Sequence, residues 1–347
     1  MKLAPICLAA LLLVASAPAV RAGDDDLPGD LAERSVATAD VGGISRIELR
    51  NPRGITLIRP SADGLIHVAA VKICRMPTPS EARRYAALTL VHLERSAGTY
   101  RVRVEYPGRI DAHLSLWDVF SESGRRRLGK PRVEVRLTVE VPAGLPLDVE
   151  TVSGDVDSDG LAAREIVTTS SGDVIARATG GPISVQTSSG DVRLEGSGGA
   201  DVRTSSGDIW VGQARGRLDL RSESGDLTVA QAPAGVRASS ASGEVLVRAA
   251  SGPVHLSTES GNMRVWLRGP LGETQLSSGS GDVHAVLADG ISATLEAASA
   301  SGAIDCSGPL VVLQHGENRL RARVGRGGAP IVVNTESGGL TVTCGGM

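Results

Sequence analysis

The sequence predicts an all-β chain built around a right-handed parallel β-solenoid, with about 18 residues and two strands per coil. Three observations carry this reading. Ser-Gly pairs in one phase end at Gly154, Gly172, Gly190, Gly207, Gly225, Gly243, Gly261, Gly281, Gly302 and Gly338, in steps of 18, 18, 17, 18, 18, 18, 20, 21 and 36 residues. A second glycine falls about halfway through most periods, as at Gly181, Gly199, Gly216 and Gly235, so each repeat reads as two short strands and two turns. Between the turns, apolar residues alternate with a period of two, the mark of a strand with one buried face.

That alternation separates inside from outside. Two and four residues after the Ser-Gly glycine stand Val174 and Ala176, Val192 and Leu194, Ile209 and Val211, Leu227 and Val229, Val245 and Val247. The position between them varies freely, through Arg193, Trp210, Thr228 and Arg264. The strand before the turn repeats the pattern at Ile183 and Val185, Leu218 and Leu220, Val254 and Leu256. Small β-branched side chains suit a thin interior, and only 2% of the chain is aromatic. The residue before each glycine is Ser, and the residue two places earlier is Thr or Ser in all ten turns, from Thr151 to Thr335. Stacked about 4.8 Å apart, these predict hydroxyl ladders, and the glycines are expected to supply positive φ at the corners. The step of 36 reads as two periods with one turn lost near Asn318. Roughly ten coils give a rod of about 50 Å.

Four segments follow. Residues 1–22 read as a signal peptide: a basic start at Lys2, an apolar run Leu8–Val14 and small residues in Val20-Arg21-Ala22. Residues 23–42, with Asp24-Asp25-Asp26, are expected to be a disordered leader. Residues 43–150 form an N-terminal β portion, either a separate domain or the first irregular coils. Its strands alternate on both sides of Asn51-Pro52-Arg53-Gly54, from Gly64 to Ile73, from Tyr100 to Tyr106 and from Val133 to Val141. Thr78 or Ser80 caps a short helix through Ala82 to Leu88. Residues 151–347 are the solenoid.

Composition narrows the function. Without Lys2 and Arg21 the chain has 34 basic and 39 acidic residues, a net charge of −5, which argues against nucleic acid as a partner. No later stretch is long and apolar enough for a transmembrane segment. Cys74, Cys306 and Cys344 remain after cleavage, an odd number with no metal-ligand spacing, and buried free thiols are expected.

The run Ser153-Gly154-Asp155-Val156 and its successors resemble a bacterial family of unknown function rich in Ser-Gly-Asp repeats, the "putative adhesins", and are similar to head-domain auto-transporter adhesins. The lead-in Leu137–Gly144 and the ending Gly325–Ile331 share the resemblance, which covers nearly all of the mature chain. It implies a β-helix-like fold and an envelope or surface location, and it brings no catalytic residues with it.

The column after Ser-Gly is acidic: Asp155, Asp173, Asp191, Asp208, Asp226, Glu244, Asn262 and Asp282. Calcium β-rolls use a related turn, but with further glycines and twice as often. These residues are therefore expected to cap turn amides, with no metal and no cofactor. A catalytic β-helix needs converging carboxylates, whereas the outward acids Asp157, Asp219 and Asp305 stand singly. Trp210 and Trp266, outward on one sheet and three coils apart, are the candidate ligand contacts, against a reading as isolated surface residues. Arg125-Arg126-Arg127 reads as a solvated loop. The expectation is a non-catalytic exported scaffold presenting its surface to glycan, envelope or protein. The alternatives are a polysaccharide lyase or hydrolase, and a structural or regulatory envelope protein without external ligand.

Overall fold

The computed structural model describes residues 30–107 and 132–345. Its first part contains β1 (Asp30–Ala39), β2 (Arg46–Arg50), β3 (Thr56–Pro60), β4 (Ile66–Arg75), α1 (Pro79–Leu88), β5 (Leu90–Ser96), β6 (Thr99–Glu105) and β7 (Arg132–Val141). The regular stack continues through β8 (Leu147–Glu150), β9 (Val156–Asp159), β10 (Glu165–Thr168), β11 (Val174–Arg177), β12 (Pro182–Gln186) and β13 (Val192–Leu194). It goes on with β14 (Gly199–Thr204), β15 (Ile209–Gln213), β16 (Leu218–Ser222), β17 (Leu227–Gln231) and β18 (Val236–Ser240). β19 (Val245–Thr258) and β20 (Met263–Ser278) run round a corner and join both sheets. The last part holds β21 (Val283–Leu287), β22 (Ala293–Ser299), β23 (Ile304–Ser307), β24 (Leu310–His315), β25 (Arg319–Val324), β26 (Ala329–Thr335) and β27 (Leu340–Cys344).

Two parallel sheets face each other across one core. The front sheet runs β6-β2-β8-β10-β12-β14-β16-β18-β19-β20-β26-β22. The back sheet runs β7-β3-β9-β11-β13-β15-β17-β19-β20-β21-β27-β23. The register is strict: Val174 lies beside Val192 and Val156, and Leu218 beside Ala200 and Val236. The predicted inward columns are buried throughout, with Val211, Leu220 and Val229 fully enclosed. The all-β solenoid stands as the sequence predicts it, and twelve rungs at about 4.8 Å make it about 50 Å long.

Both ends depart from simple succession. The coil β2/β3 sits between β6/β7 and β8/β9, so Ile47 touches both Tyr100 and Leu147 in register. At the other end β26/β27 slides between β20/β21 and β22/β23. The 36-residue step is therefore not two stacked coils with a lost turn. It is the hairpin β24–β25, antiparallel to β22, followed by a coil that returns into the stack. Residues 43–150 contain the first two coils of the same core, rimmed by antiparallel β5 and β4.

A further expectation needs correction. Residues 30–39 of the supposed disordered leader are strand β1, antiparallel to β4 from Asp30 beside Arg75 to Ala39 beside Ile66. Its backbone finds partners on the otherwise open edge of β4, which a polar alternating strand can supply. The signal-peptide reading of residues 1–22 lies outside the described residues. Helix α1 starts as expected: Thr78 accepts from the Glu81 amide at 3.3 Å and donates to its carboxylate at 2.9 Å, with Pro79 in the first turn. It buries Ala82, Tyr85 and Ala86 against Cys74, Met76 and Val133 in a small second core.

The Ser-Gly glycines do not have positive φ. A different constraint fixes them. A methyl group on Gly172 would overlap the carbonyl oxygen of Gly154, one on Gly190 that of Gly172, and so on to Gly281. The column then passes through Gly338 to Gly302, in the order of the stack rather than of the chain, and it begins on Gly54.

Replacing Val229 by Asp would bury an unpaired charge and cost several kcal/mol, while Thr228→Asp on the outer face should cost under about 1 kcal/mol. Denaturant melts check the pair, and equal effects would refute the assignment of faces. Gly225→Ala should cost at least about 1–3 kcal/mol by overpacking against the Gly207 carbonyl. A neutral Gly225→Ala melt would remove that explanation of the glycine column.

Candidate functional site

The corner carries two ladders. In each of the ten turns the Thr or Ser hydroxyl accepts from the glycine amide three residues on, as Thr151 does from Gly154 at 3.0 Å and Ser222 from Gly225 at 2.7 Å. Ser240, Thr258, Ser299 and Thr335 also donate to the glycine carbonyl of the neighbouring coil, at 3.1 to 3.4 Å. These hydroxyls are buried and need such partners.

The acidic column forms the second ladder. Asp155 accepts from the Asp173 amide at 3.1 Å, Asp173 from Asp191 at 2.9 Å and Asp191 from Asp208 at 2.9 Å. Asp208 accepts from Asp226 and Asp226 from Glu244, both at 2.8 Å. Asn262 accepts from the Asp282 amide at 3.0 Å, and Asp282 from Gly339 at 2.8 Å. Each of these side chains thus holds the amide of the coil above it. Among the described residues no group of three or more His, Cys, Asp or Glu is placed to hold a metal ion.

On the outer back sheet an ion-pair chain climbs from coil to coil. Asp157 accepts from Arg59 at 3.2 Å and Arg177 at 2.7 Å; Glu195 meets Arg177 at 3.6 Å and Arg193 at 3.0 Å. The chain ends on Trp210, where the Arg193 guanidinium stacks 4.1 Å from the ring centre. The indole also lies over Gly212, where a methyl group would meet the ring at 2.8 Å. Trp266 stands in register with Val286 and is half-buried. The two indoles are thus on one sheet face, and Trp210 already has a cation on one side. Asp219 pairs with Arg221 at 3.2 Å on the front sheet, and Asp305 lies on β23 of the back sheet, so the three outward acids do not converge on one another. Asp219 does not, however, stand singly as expected: Asp201 lies beside it in register on the neighbouring coil. His255 and His284 are on opposite sheets. Arg125-Arg126-Arg127 lies outside the described residues.

The front sheet has an open trough of about 670 Å³ beside the corner. Its floor includes Ser239, Ser257 and Ser277, in register one per coil, and Glu259 and Glu336 line it. A second cleft of about 550 Å³ near the N-terminal end lies among Glu48, Arg50, Arg101, Arg103 and Glu150. Sequence reasoning passed over both, although the outward serines repeat at the coil spacing.

It also passed over Glu165, which occupies an inward position between Leu147 and Ile183 and is 1% exposed. One carboxyl oxygen accepts from Ser158 at 3.0 Å, and the other has no hydrogen-bond partner among the described residues. Burial pushes its pKa up to about 7, and the Ser158 hydrogen bond opposes that shift. Burial likewise raises the Cys74 and Cys306 thiols to about 11. The three cysteines among the described residues are free; Cys74 and Cys344 are buried, and Cys306 is half-buried at the open end of the core.

The Glu165 carboxyl has a definite pH signature. Its folded pKa lies above the unfolded value of 4.5, so the folded state keeps a proton that the unfolded state has lost between about pH 4.5 and 7. Its contribution to stability is therefore whole below that window and falls as pH rises through it, by up to about 3 kcal/mol. Glu165→Gln should remove this fall: urea melts at pH 5 and pH 8 should show the variant gaining on the wild type at the higher pH. An unchanged difference between the two pH values would refute the buried-acid assignment.

A family model described as Toastrack DUF4097 matches residues 127–268 and 232–343. Solved structures that resemble the chain include a "putative cell adhesion protein" from Clostridium sporogenes ATCC 15579, at 11% identity and TM-score 0.23, covering 90% of this chain and 99% of that one. A "putative adhesin" from Bacteroides fragilis NCTC 9343 has 13% identity, TM-score 0.33 and coverage of 90% and 97%. A "putative lipid binding protein" from Parabacteroides distasonis ATCC 8503 has 9% identity, TM-score 0.34 and coverage of 90% and 96%. No curated protein matches the sequence. With the model covering well over half of its residues, on the coils just described, the chain belongs to the Toastrack DUF4097 family.

Proposed function

We propose that this protein is exported and acts as a non-catalytic, adhesin-like scaffold of the cell envelope. The observation that carries the reading is the serine-floored trough on the front sheet. It runs across stacked coils, so it offers one hydroxyl at every rise of about 4.8 Å to an extended ligand. The hydroxyl and carboxylate ladders fix each coil on the next, so the surface is rigid before any partner arrives, which lowers the cost of binding. The trough suits a linear glycan, whose hydroxyls exchange hydrogen bonds with serines and carboxylates. Trp210 and Trp266 on the back sheet are a second candidate contact, by stacking on sugar rings.

The outward acids support the non-catalytic part of the reading. Asp157 is held by Arg59 and Arg177. Although Asp219 lies in register beside Asp201, each of those two carboxylates is paired with an arginine of its own strand, Arg221 and Arg203, which leaves neither free to act as acid or nucleophile. Export rests on the basic and apolar start of the chain.

Binding to a glycan panel and to isolated envelope fractions tests the proposal. Ser257→Arg, which fills the trough, should abolish glycan binding if the front sheet is used, and Trp210→Ala with Trp266→Ala should weaken it if the back sheet is used. Both variants should melt within a few degrees of the wild type. Binding untouched by either variant would leave neither face as the site. Cleavage of an acidic polysaccharide by the purified protein, abolished by changing outward acids, would replace the scaffold reading by an enzyme.

A further inference from the structure

The two ends of the stack are finished differently. At the N-terminal end, the outermost strands are β1, which carries Glu33 and Arg34, and β5, which carries His92, Glu94 and Arg95. Charges on an edge strand discourage another chain from pairing with it. Helix α1 and its small core cover this end further.

At the other end the back sheet finishes on β23, which carries Asp305, but the front sheet has no such guard. The front sheet finishes on β24, Leu310-Val311-Val312-Leu313-Gln314-His315, which contains no Lys, Arg, Asp or Glu. Val311, Val312 and Leu313 are 50%, 49% and 53% exposed, three consecutive aliphatic residues on the outside of the molecule. Among the described residues β24 pairs only with β25, so its other edge is open, and Leu313 bulges out of register with β25. Beside it the core ends on Ile304, Cys306 and Leu310, which are only partly buried. A solenoid end normally carries a polar cap.

We propose that this end is a self-association surface, on which β24 of a second copy pairs antiparallel with β24, tail to tail. The occupant follows from complementarity. A two-fold axis perpendicular to the sheet and passing between the two Val312 residues places Val312 opposite Val312 and Val311 opposite Leu313. The three consecutive exposed aliphatic residues of β24 then cover one another. No formal charge lies in either β24, so the pairing brings no like charges face to face. Arg319, Arg321 and Arg323 sit on β25, three strand spacings or about 14 Å from their counterparts, beyond the screening length of about 8 Å at physiological salt. Head-to-tail growth would instead press β24 on the charged β1 or β5. The arrangement therefore closes as a dimer rather than extending as a fibre.

Light scattering and sedimentation of the purified chain up to about 100 µM should give the mass of two chains. Val312→Lys should return the mass of one chain while leaving the melting temperature within a few degrees. Because Val312 faces its own copy at a separation of about 4.5–5.5 Å, Val312→Cys should form an intermolecular disulfide under mild oxidation. The wild type, with Cys74, Cys306 and Cys344 in place, and Val152→Cys, exposed at a distant turn, should not. A single-chain mass throughout would overturn the proposal, as would a dimer that survives Val312→Lys, open-ended growth, or no cross-link at Val312→Cys. The cross-link decides the matter even if Val312→Lys fails to fold.

Discussion

At each Ser-Gly corner the carbonyl oxygen of one glycine occupies the space where a side chain of the next would be, and the rest of the corner depends on that contact. Parallel pairing fixes the rise at about 4.8 Å. At that rise the Thr or Ser hydroxyl can hold the glycine amide of its own turn, and several of them also reach the glycine carbonyl of the next. Side chains one residue past the glycine reach the next amide in the column. A single methyl group would push the coils apart and break all three contacts together.

The acidic column shows how such a stack tolerates repeated charge. Carboxylates about 4.8 Å apart repel by about 0.9 kcal/mol in water. A hydrogen bond to a charged acceptor contributes about 1.5–3 kcal/mol, so each held amide offsets its share of the repulsion. On the outer faces acids and bases alternate instead, as in the chain from Arg59 to Trp210, and each exposed pair there contributes about 0–1 kcal/mol. These outer pairs order the surface more than they stabilise the fold.

The coil was legible because one pattern recurs in one phase. Val229 in and Thr228 out follow from alternation alone, and a Thr or Ser three residues before the glycine marks each of the ten corners from Gly154 to Gly338. The order of the coils was not legible. Inward columns are interchangeable small apolar residues, so nothing local tells β26 to lie beside β20 rather than beyond β22. The first corner was hidden for a different reason. Gly54 begins the glycine column, but Asn51 replaces the hydroxyl residue there, with its side chain on Thr56 and Val135 and the Tyr106 hydroxyl against it. Glu165 was visible as the one acid in an apolar column, a break in pattern that marks a site better than the pattern does.

Placing the coil β26/β27 inside the stack changes how the structure answers to force. A strand at an open edge peels away one hydrogen bond at a time, under a small and steady load. β27 is held on one side by β21 and on the other by β23, and β26 likewise by β20 and β22. Tension applied at the end of β27 must therefore load two ladders at once, and much of it acts along the strands, where bonds share the load and fail together. The coil β2/β3 is clasped in the same way at the opposite end. A rod assembled in this manner resists unwinding at both of these clasped coils, because neither can leave the stack without parting two ladders.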